Sequence, residues 1–176
     1  MSTNKKLVNS VILGVSLISG SLTLLTDHQN TIAITLPIGG NISLEEPFFI
    51  ERYSNSTIQP QPPGTTFDTV GFGTGILNGT IEVQTEANAT ITFRNSQTMF
   101  LEGRANYTNN VGDKASYLFL ELGKINPFDM TYSGRGIAIF DEKATGMLKT
   151  LSDIVAIYRS VIDANGNATV YYYHWN

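Results

Sequence analysis

The sequence predicts an all-β protein, an antiparallel up-and-down β-barrel of about eight strands preceded by one N-terminal hydrophobic helix that acts as a signal or an anchor. Three observations lead to this prediction. Apolar and polar side chains alternate along most of the chain after residue 78, turn motifs separate these runs at spacings near ten residues, and an uncharged apolar segment follows two lysines near the N-terminus.

The N-terminal segment, residues 1–33, is typical of an export signal or a single membrane anchor. Lys5 and Lys6 precede Leu7–Leu25, which contains no charged residue and as a helix would cross about 30 Å of hydrocarbon. Interspersed serines and glycines favour a signal peptide or weak anchor, and cleavage stays open because no clear small-x-small site follows. The alternative is a buried core helix of a cytosolic protein. We expect an extracytoplasmic protein, secreted or tethered to the outer face of the cell membrane, with membrane contact through this segment alone.

Six asparagines lie in N-x-S/T sequons and are candidate glycosylation sites: Asn41, Asn55, Asn78, Asn88, Asn106 and Asn167. Three of them, at 78, 88 and 106, fall on the polar phase of the alternating runs, where a glycan would meet solvent. The alternative is that an Asn- and Thr-rich β-protein produces sequons through its composition alone.

Composition excludes several classes of site. The 176 residues contain no cysteine and only two histidines, and the net charge is −4. Disulfides, thiolate metal sites and cysteine nucleophiles are therefore excluded, and a mildly acidic chain is a poor partner for nucleic acid. Neither a metal nor a cofactor is expected, since no EF-hand spacing is present and His174 has no second histidine nearby.

The chain divides into three parts. After the leader, residues 34–65 hold a first strand, 47–53, and a proline-rich linker in which Pro60, Pro62 and Pro63 exclude helix and central strand. The barrel body is expected over 66–176, although the barrel can begin as early as residue 44.

Strands are predicted from the alternation and from the turns between the runs. The predicted runs are 79–86, 88–94, 97–107, 114–123, 131–141, 145–151, 152–162 and 168–175. Asn78-Gly79 and Asn165-Gly166 suit hairpins in which both central residues take positive φ. The run 152–162 also fits an amphipathic helix, but its β-branched and aromatic residues favour a strand.

Residues 115–122 offer two alternative faces to the barrel interior. Ala115, Tyr117, Phe119 and Glu121 share one face, and Ser116, Leu118, Leu120 and Leu122 share the other. With the aromatic face inward, Glu121 is a buried carboxylate with Tyr117 beside it and Arg135 as an ion partner, so these three are the candidate ligand-binding residues. With the leucines inward, Glu121 is solvated, and three leucines favour this second arrangement because they make the better core.

Two further motifs have structural interpretations. Gly71-Phe-Gly-Thr-Gly75 is followed by a β pattern rather than a helix, so we expect glycines that relieve crowding at a bend or bulge, not a phosphate-binding loop. At the C-terminus, Tyr171, Tyr173 and Trp175 share a face and are expected to plug the barrel or line a pocket.

Several stretches resemble a family of secreted proteins from ammonia-oxidising archaea, over about residues 47–175. They are Pro47–Glu51, Leu77–Ile81, Ser133–Leu148, Ile154–Tyr158, Val161–Asn167 and the ending His174-Trp175, where the family pattern has Glu-Trp. The layout is more loosely similar to barrels of the allene oxide cyclase and dirigent type. The resemblance implies a secreted β-barrel of archaeal origin and transfers no catalytic residue.

The sequence therefore indicates an exported cell-envelope barrel without a catalytic set of residues, acting in surface interaction or in binding a small apolar ligand. Candidate partners are such a ligand and a second copy of the chain. One alternative is an isomerase or cyclase of the allene oxide cyclase type, in which Glu121 works with Arg135 and Tyr117. Another is a non-catalytic subunit of a membrane complex, with residues 7–25 as its span.

Overall fold

The computed structural model describes residues 22–24, 32–34 and 46–175. The chain forms two compact units, Met1–Ser43 and Leu44–Asn176. In the first unit, β1 (Leu22–Leu24) pairs antiparallel with β2 (Ile32–Ile34). The remainder of the predicted hydrophobic helix lies outside the described residues, as does Asn41. Within the described part of the chain, no helix is long and apolar enough to cross a membrane.

The second unit is a closed barrel of eight antiparallel strands, which confirms the predicted all-β class and strand number. Its strands are β3 (Phe49–Tyr53), β4 (Thr66–Leu77), β5 (Ile81–Phe93), β6 (Thr98–Asn109), β7 (Lys114–Ile125), β8 (Tyr132–Phe140), β9 (Val155–Ile162) and β10 (Ala168–His174). Each strand pairs with its neighbours in sequence, and β10 returns to pair with β3. The first predicted strand is therefore part of the barrel wall, joined to both β4 and β10.

The predicted alternation gives the correct inner face for β5 and β6. Val83 and Thr85 of β5 and Ala105 and Tyr107 of β6 are buried in the lumen. The two predicted runs 79–86 and 88–94 are one continuous strand, β5, which pairs without interruption with β4. Polar residues occupy the same, outward-facing positions on both sides of residue 87, so the alternation does not require the break that was predicted there.

Two segments differ from the prediction. Residues 145–151 are not a strand, because Gly146–Leu151 forms a 3₁₀ helix that buries Leu148 and Leu151. Residues 66–77 form the long strand β4, which the sequence did not reveal because glycines occupy three of its inward positions, at 71, 73 and 75. The alternative of a helix over 152–162 is wrong, since Val155–Ile162 is strand β9.

The two Asn-Gly turns differ from one another. Asn78 and Gly79 both have positive φ, at 50° and 72°, as predicted for a tight hairpin. At the second turn only Gly166 is left-handed, with φ 80°. There the carboxylate of Asp163 accepts hydrogen bonds from the backbone N–H groups of Asn165 and Asn167, so the turn needs only one residue of positive φ.

The barrel has one packed end and one end that contains a cavity. At the packed end, Phe48, Phe140, Leu148 and Leu151 belong to a single buried cluster with the inward residues of the strands. The 3₁₀ helix is held there by Asp113, whose carboxylate accepts a 2.9 Å hydrogen bond from the Met147 N–H. The opposite end, where β3 stops and β4 starts, is called the cavity end below.

Candidate functional site in the barrel lumen

A cavity of about 850 Å³ occupies the lumen at the cavity end. Its size follows from small side chains on the inner faces of three strands. Gly71 of β4, Ala87 and Ala89 of β5 and Ala168 of β10 all line it. Eight-stranded barrels of this kind are just wide enough for side chains to fill, so small residues in adjacent strands leave room for one ligand.

The loop between β3 and β4 crosses the cavity end. The N–H of Ser56 bonds to the carbonyl of Gly166, in the turn between β9 and β10, at 2.8 Å, and the N–H of Gly64 bonds to the carbonyl of Phe93 at 2.7 Å. Ile58 packs against the buried cluster that contains Phe93. The predicted proline-rich linker is thus hydrogen-bonded to two different parts of the barrel rim, and its residues form part of the cavity wall.

Glu51 of β3 is the most buried polar residue of the lumen, with no exposed surface. Its Oε2 accepts hydrogen bonds from the hydroxyls of Tyr172 and Tyr117, the latter at 3.1 Å. Its Oε1 accepts one from the Tyr53 hydroxyl at 3.3 Å. The Tyr117 and Tyr172 hydroxyls lie 2.6 Å apart, so three phenols from three strands surround one carboxyl group.

Burial sets the ionisation of this cluster. It raises the pKa of Glu51, and the hydroxyls of Tyr172, Tyr107, Thr85 and Tyr117 oppose that rise. The hydroxyls of Tyr107 and Thr85 face Glu51 without the geometry of a hydrogen bond to any partner. Burial, and then the charge of Glu51, raise the pKa of Tyr117 and Tyr172 well above the usual phenol value, so both remain neutral donors.

Glu121 of β7 forms the second carboxyl centre and is 6% exposed. Its Oε1 accepts hydrogen bonds from the hydroxyl of Tyr132 and, at 2.7 Å, from that of Ser160. Burial and the charge of Glu121 also raise the pKa of Tyr132. Burial is the main cause that raises the pKa of Tyr158, and the charges of Glu121 and Glu51 raise it further. Tyr158 therefore lies close enough to both carboxyl groups to be affected by each of them.

Glycines on β8 make room for this second centre. A Cβ at Gly134 would collide with Oε1 of Glu121 and with the Ser160 hydroxyl, and one at Gly136 would collide with the Tyr158 ring. Gly134 is paired in register with Ser160, and Gly136 with Tyr158. The sequence Gly-Arg-Gly therefore supplies a flat wall against which the carboxylate and the phenol lie.

The structure brings together two of the three predicted site residues. Tyr117 and Glu121 both line the lumen cavity. The alternative with the leucines inward is wrong, because Leu118, Leu120 and Leu122 are 50%, 42% and 45% exposed. The reason is that the aromatic residues of the other strands already fill the packed end, and only the Tyr117 face of β7 complements them.

Arg135 does not join the site. It is exposed on the outer face of β8, between the inward positions Gly134 and Gly136, and is paired in register with Leu122 and Arg159. The predicted ion pair with Glu121 is therefore corrected, since adjacent residues of a strand point to opposite faces. The arrangement that the isomerase alternative required, with Glu121, Arg135 and Tyr117 on one surface, is not formed.

Sequence reasoning missed Glu51 and its partner Tyr172. It also missed three residues around Glu121, namely Tyr132, Tyr158 and Ser160. A signal for Glu51 was present, because it shares a strand face with the aromatic residues Phe49 and Tyr53, as Glu121 shares one with Tyr117 and Phe119. At the C-terminus the predicted face was the wrong one. Tyr172 points into the lumen, whereas Trp175 is 61% exposed, because the register with β3 places Tyr172 opposite Phe49.

Fold and site together define a class: a closed, antiparallel, eight-stranded up-and-down β-barrel whose lumen holds two buried carboxyl groups within a set of tyrosines. Comparisons with protein-family models, with curated proteins and with solved structures found no match to this chain.

Proposed function

We propose that this chain is an exported, non-catalytic β-barrel protein that binds a small, largely apolar ligand in its lumen. The observation that carries the proposal is the cavity of about 850 Å³ at the cavity end. Most of its wall is apolar or aromatic, as with Ile91, Leu101 and Phe119, and a few polar groups converge on it. That combination is the usual form of a small-molecule site.

Binding of the neutral fluorophore N-phenyl-1-naphthylamine to the full-length chain tests this proposal. Its emission rises when it leaves water for an apolar site, so we expect a saturable increase with one site per chain. The full-length chain denatured in guanidinium is the control. An increase that grows linearly with dye, or that persists in the denatured chain, would contradict lumen binding.

Export and glycosylation are the second part of the proposal. They are supported by the leader segment and by the exposure of every sequon asparagine in the described part of the chain: Asn55, Asn78, Asn88, Asn106 and Asn167. Native mass spectrometry of protein purified from its own cells tests both points. Loss of the leader or glycan mass on these asparagines supports export, and an intact, unmodified chain in the soluble cell extract contradicts it.

A surface of the barrel supports association with a second copy as a further function. We define the outer apolar face as Leu118, Leu120 and Leu122 of β7, Ile137 and Ile139 of β8, and Val155 and Ile157 of β9. Register places these side chains in rows, with Leu118 beside Ile139 and Leu120 beside Ile137. By contrast, the outer face of β5 carries polar residues such as Glu82, Gln84 and Glu86.

The size of the outer apolar face suits a pairing of two copies. Five of its seven side chains are 39–50% exposed. The face presents on the order of 500 Å² per chain, at the upper range of patches on monomers. Two such faces would bury on the order of 1,000 Å², near the lower limit of specific interfaces. A dimer through this face would leave the cavity end free, because the patch lies on the side of the barrel.

A further inference from the structure

The lumen cavity is lined by acidic side chains and by no basic ones among the described residues. Glu51 and Glu121 line it, and no lysine, arginine or histidine is among the residues of its wall that the structure describes. Three arginines adjoin inward residues of the wall, and all of them are exposed on the outer face: Arg52, Arg135 and Arg159. An anionic ligand would therefore enter a low-dielectric space next to two carboxyl groups with no compensating cation.

The two carboxyl groups differ in how many of their oxygens accept a hydrogen bond from the protein. Both oxygens of Glu51 accept hydrogen bonds from tyrosine hydroxyls. Glu121 accepts hydrogen bonds from Tyr132 and Ser160 at Oε1, and in the described part of the chain none is formed at its Oε2. The nearby Tyr158 hydroxyl donates to the Leu120 carbonyl instead, at 3.5 Å. Glu121 lines the cavity, so a charged N–H donor on a ligand could bond to its Oε2, and such charge-assisted hydrogen bonds are stronger than neutral ones.

Aromatic rings surround the same carboxyl group. Tyr132 and Tyr158 lie beside Glu121, and Phe119 precedes it on the inner face of β7 and lines the cavity. The faces of such rings attract a cation, and this attraction grows when water is excluded. The phenol hydroxyl of Tyr132 is already committed to Oε1, so the ring rather than the hydroxyl remains for a ligand.

From these observations, and resting on the proposed lumen binding, we infer that the ligand is an organic cation: an apolar body with an ammonium-type head group held by Oε2 of Glu121. The apolar body lies against small and apolar residues such as Ala87, Ala89 and Ile91. Glu51 acts deeper in the lumen as a structural acceptor for tyrosines and does not hold the head group.

A charge series on one apolar body tests the inference. The probes are 2-(naphthalen-2-yl)ethylammonium, the neutral alcohol 2-(naphthalen-2-yl)ethanol and the anion 2-naphthylacetate, each displacing N-phenyl-1-naphthylamine from the full-length chain. We expect the ammonium ion to bind at least tenfold more tightly than the alcohol, and the carboxylate to bind most weakly. This ranking needs no variant, so it decides the question even if a lumen substitution prevents folding.

Glu121→Gln assigns the effect to one side chain. It keeps an acceptor for Tyr132 and Ser160 but removes the charge, so the preference for ammonium over alcohol should fall below threefold while dye binding is retained. Glu82→Gln, on the outer face of β5, is the matched control and should keep the full preference. Equal affinity of the unmodified chain for the ammonium ion and the alcohol would overturn the inference, and so would an unchanged preference in Glu121→Gln. In both cases, dye binding would leave the proposed function intact. If the dye does not bind at all, the inference and the proposed function are both overturned.

Discussion

Tyr117 on β7 donates a 3.1 Å hydrogen bond to Oε2 of Glu51 on β3, although 66 positions separate the two residues. β3 and β7 are four strands apart in either direction around the closed barrel. The bond therefore spans the lumen and joins opposite walls. Since Tyr172 of β10 bonds to the same carboxyl group, one glutamate links three strands through side chains alone.

Removing the Tyr117 hydroxyl tests the contribution of this link. Tyr117→Phe keeps the ring in the core but takes one donor from Glu51, so we expect the free energy of unfolding to fall by about 1–3 kcal/mol. Urea denaturation followed by far-UV circular dichroism measures it. Tyr171→Phe, at an outward position of β10, is the matched control and should change stability by less than about 0.5 kcal/mol. Equal losses in the two variants would show that the cross-lumen bond contributes nothing specific.

The buried carboxyl group of Glu51 predicts a pH dependence of stability. Its pKa in the folded state is raised by burial above the ordinary value of 4.5, so the folded chain holds this proton more tightly than the unfolded chain. The stabilisation of the folded state by the Glu51 proton is complete below pH 4.5 and is lost as the pH rises to the folded-state pKa. Between these two values the folding equilibrium constant falls by roughly tenfold per pH unit.

Glu51→Gln removes this titration. Relative to the unmodified chain, the variant should gain stability as the pH rises above 4.5, and the gain should level off once Glu51 ionises in the folded state. Denaturation curves at a series of pH values measure the difference. Glu82→Gln, on the outer face, should follow the unmodified chain at every pH. Parallel curves for Glu51→Gln and the unmodified chain would mean that the Glu51 pKa is not raised.

The lack of a side chain at Gly134 is a requirement of the Glu121 centre. Gly134→Ala places a methyl group on Oε1 of Glu121 and on the Ser160 hydroxyl, and we expect a loss of about 1–3 kcal/mol from this overpacking. Gly71→Ala is the control, since its Cβ would lie 3.5 Å from the Tyr53 ring, an ordinary contact. Thermal unfolding should separate the two variants, and similar melting temperatures would contradict the assigned role of Gly134.

A large side chain at Ala89 should fill the cavity. Ala89→Phe directs a ring into the space that Ala89 now lines, so dye binding should weaken at least tenfold while the circular dichroism spectrum stays that of a β-barrel. Gln84→Phe, on the outer face of the same strand, should bind dye normally. If both variants bind dye as the unmodified chain does, the dye site lies outside the lumen.

A charge in the outer apolar face should prevent self-association. Leu120 is the middle one of the three outward leucines of β7 and is 42% exposed. Leu120→Lys therefore places an ammonium group where two copies would meet, without disturbing the lumen. Sedimentation velocity over a range of concentrations should show a dimer for the unmodified chain and a monomer for this variant. Gln84→Lys should remain dimeric, and a monomeric unmodified chain at high concentration would exclude the proposed pairing.

Much of the barrel wall was predictable from local patterns. The alternation of β5 and β6, the hairpin at Asn78-Gly79 and the β-branched composition of β9 each depend on neighbouring residues in the chain. β4 was not predictable in this way, because its inward glycines carry no apolar signal. These glycines face Phe49 and Tyr53 of β3. The sequence pattern of one strand does not indicate how large the side chains of its neighbouring strand are.

By itself, the sequence determined the fold class, the approximate strand number and the polar phase of the sequon asparagines, since these follow from periodicity and turn chemistry within short stretches. Only the tertiary structure decided which face of β7 points inward and which residues meet Glu121. The physical reason is that both faces of β7 are apolar enough to be buried, so the choice depends on how well each complements the aromatic residues and glycines that closure of the barrel brings from distant strands.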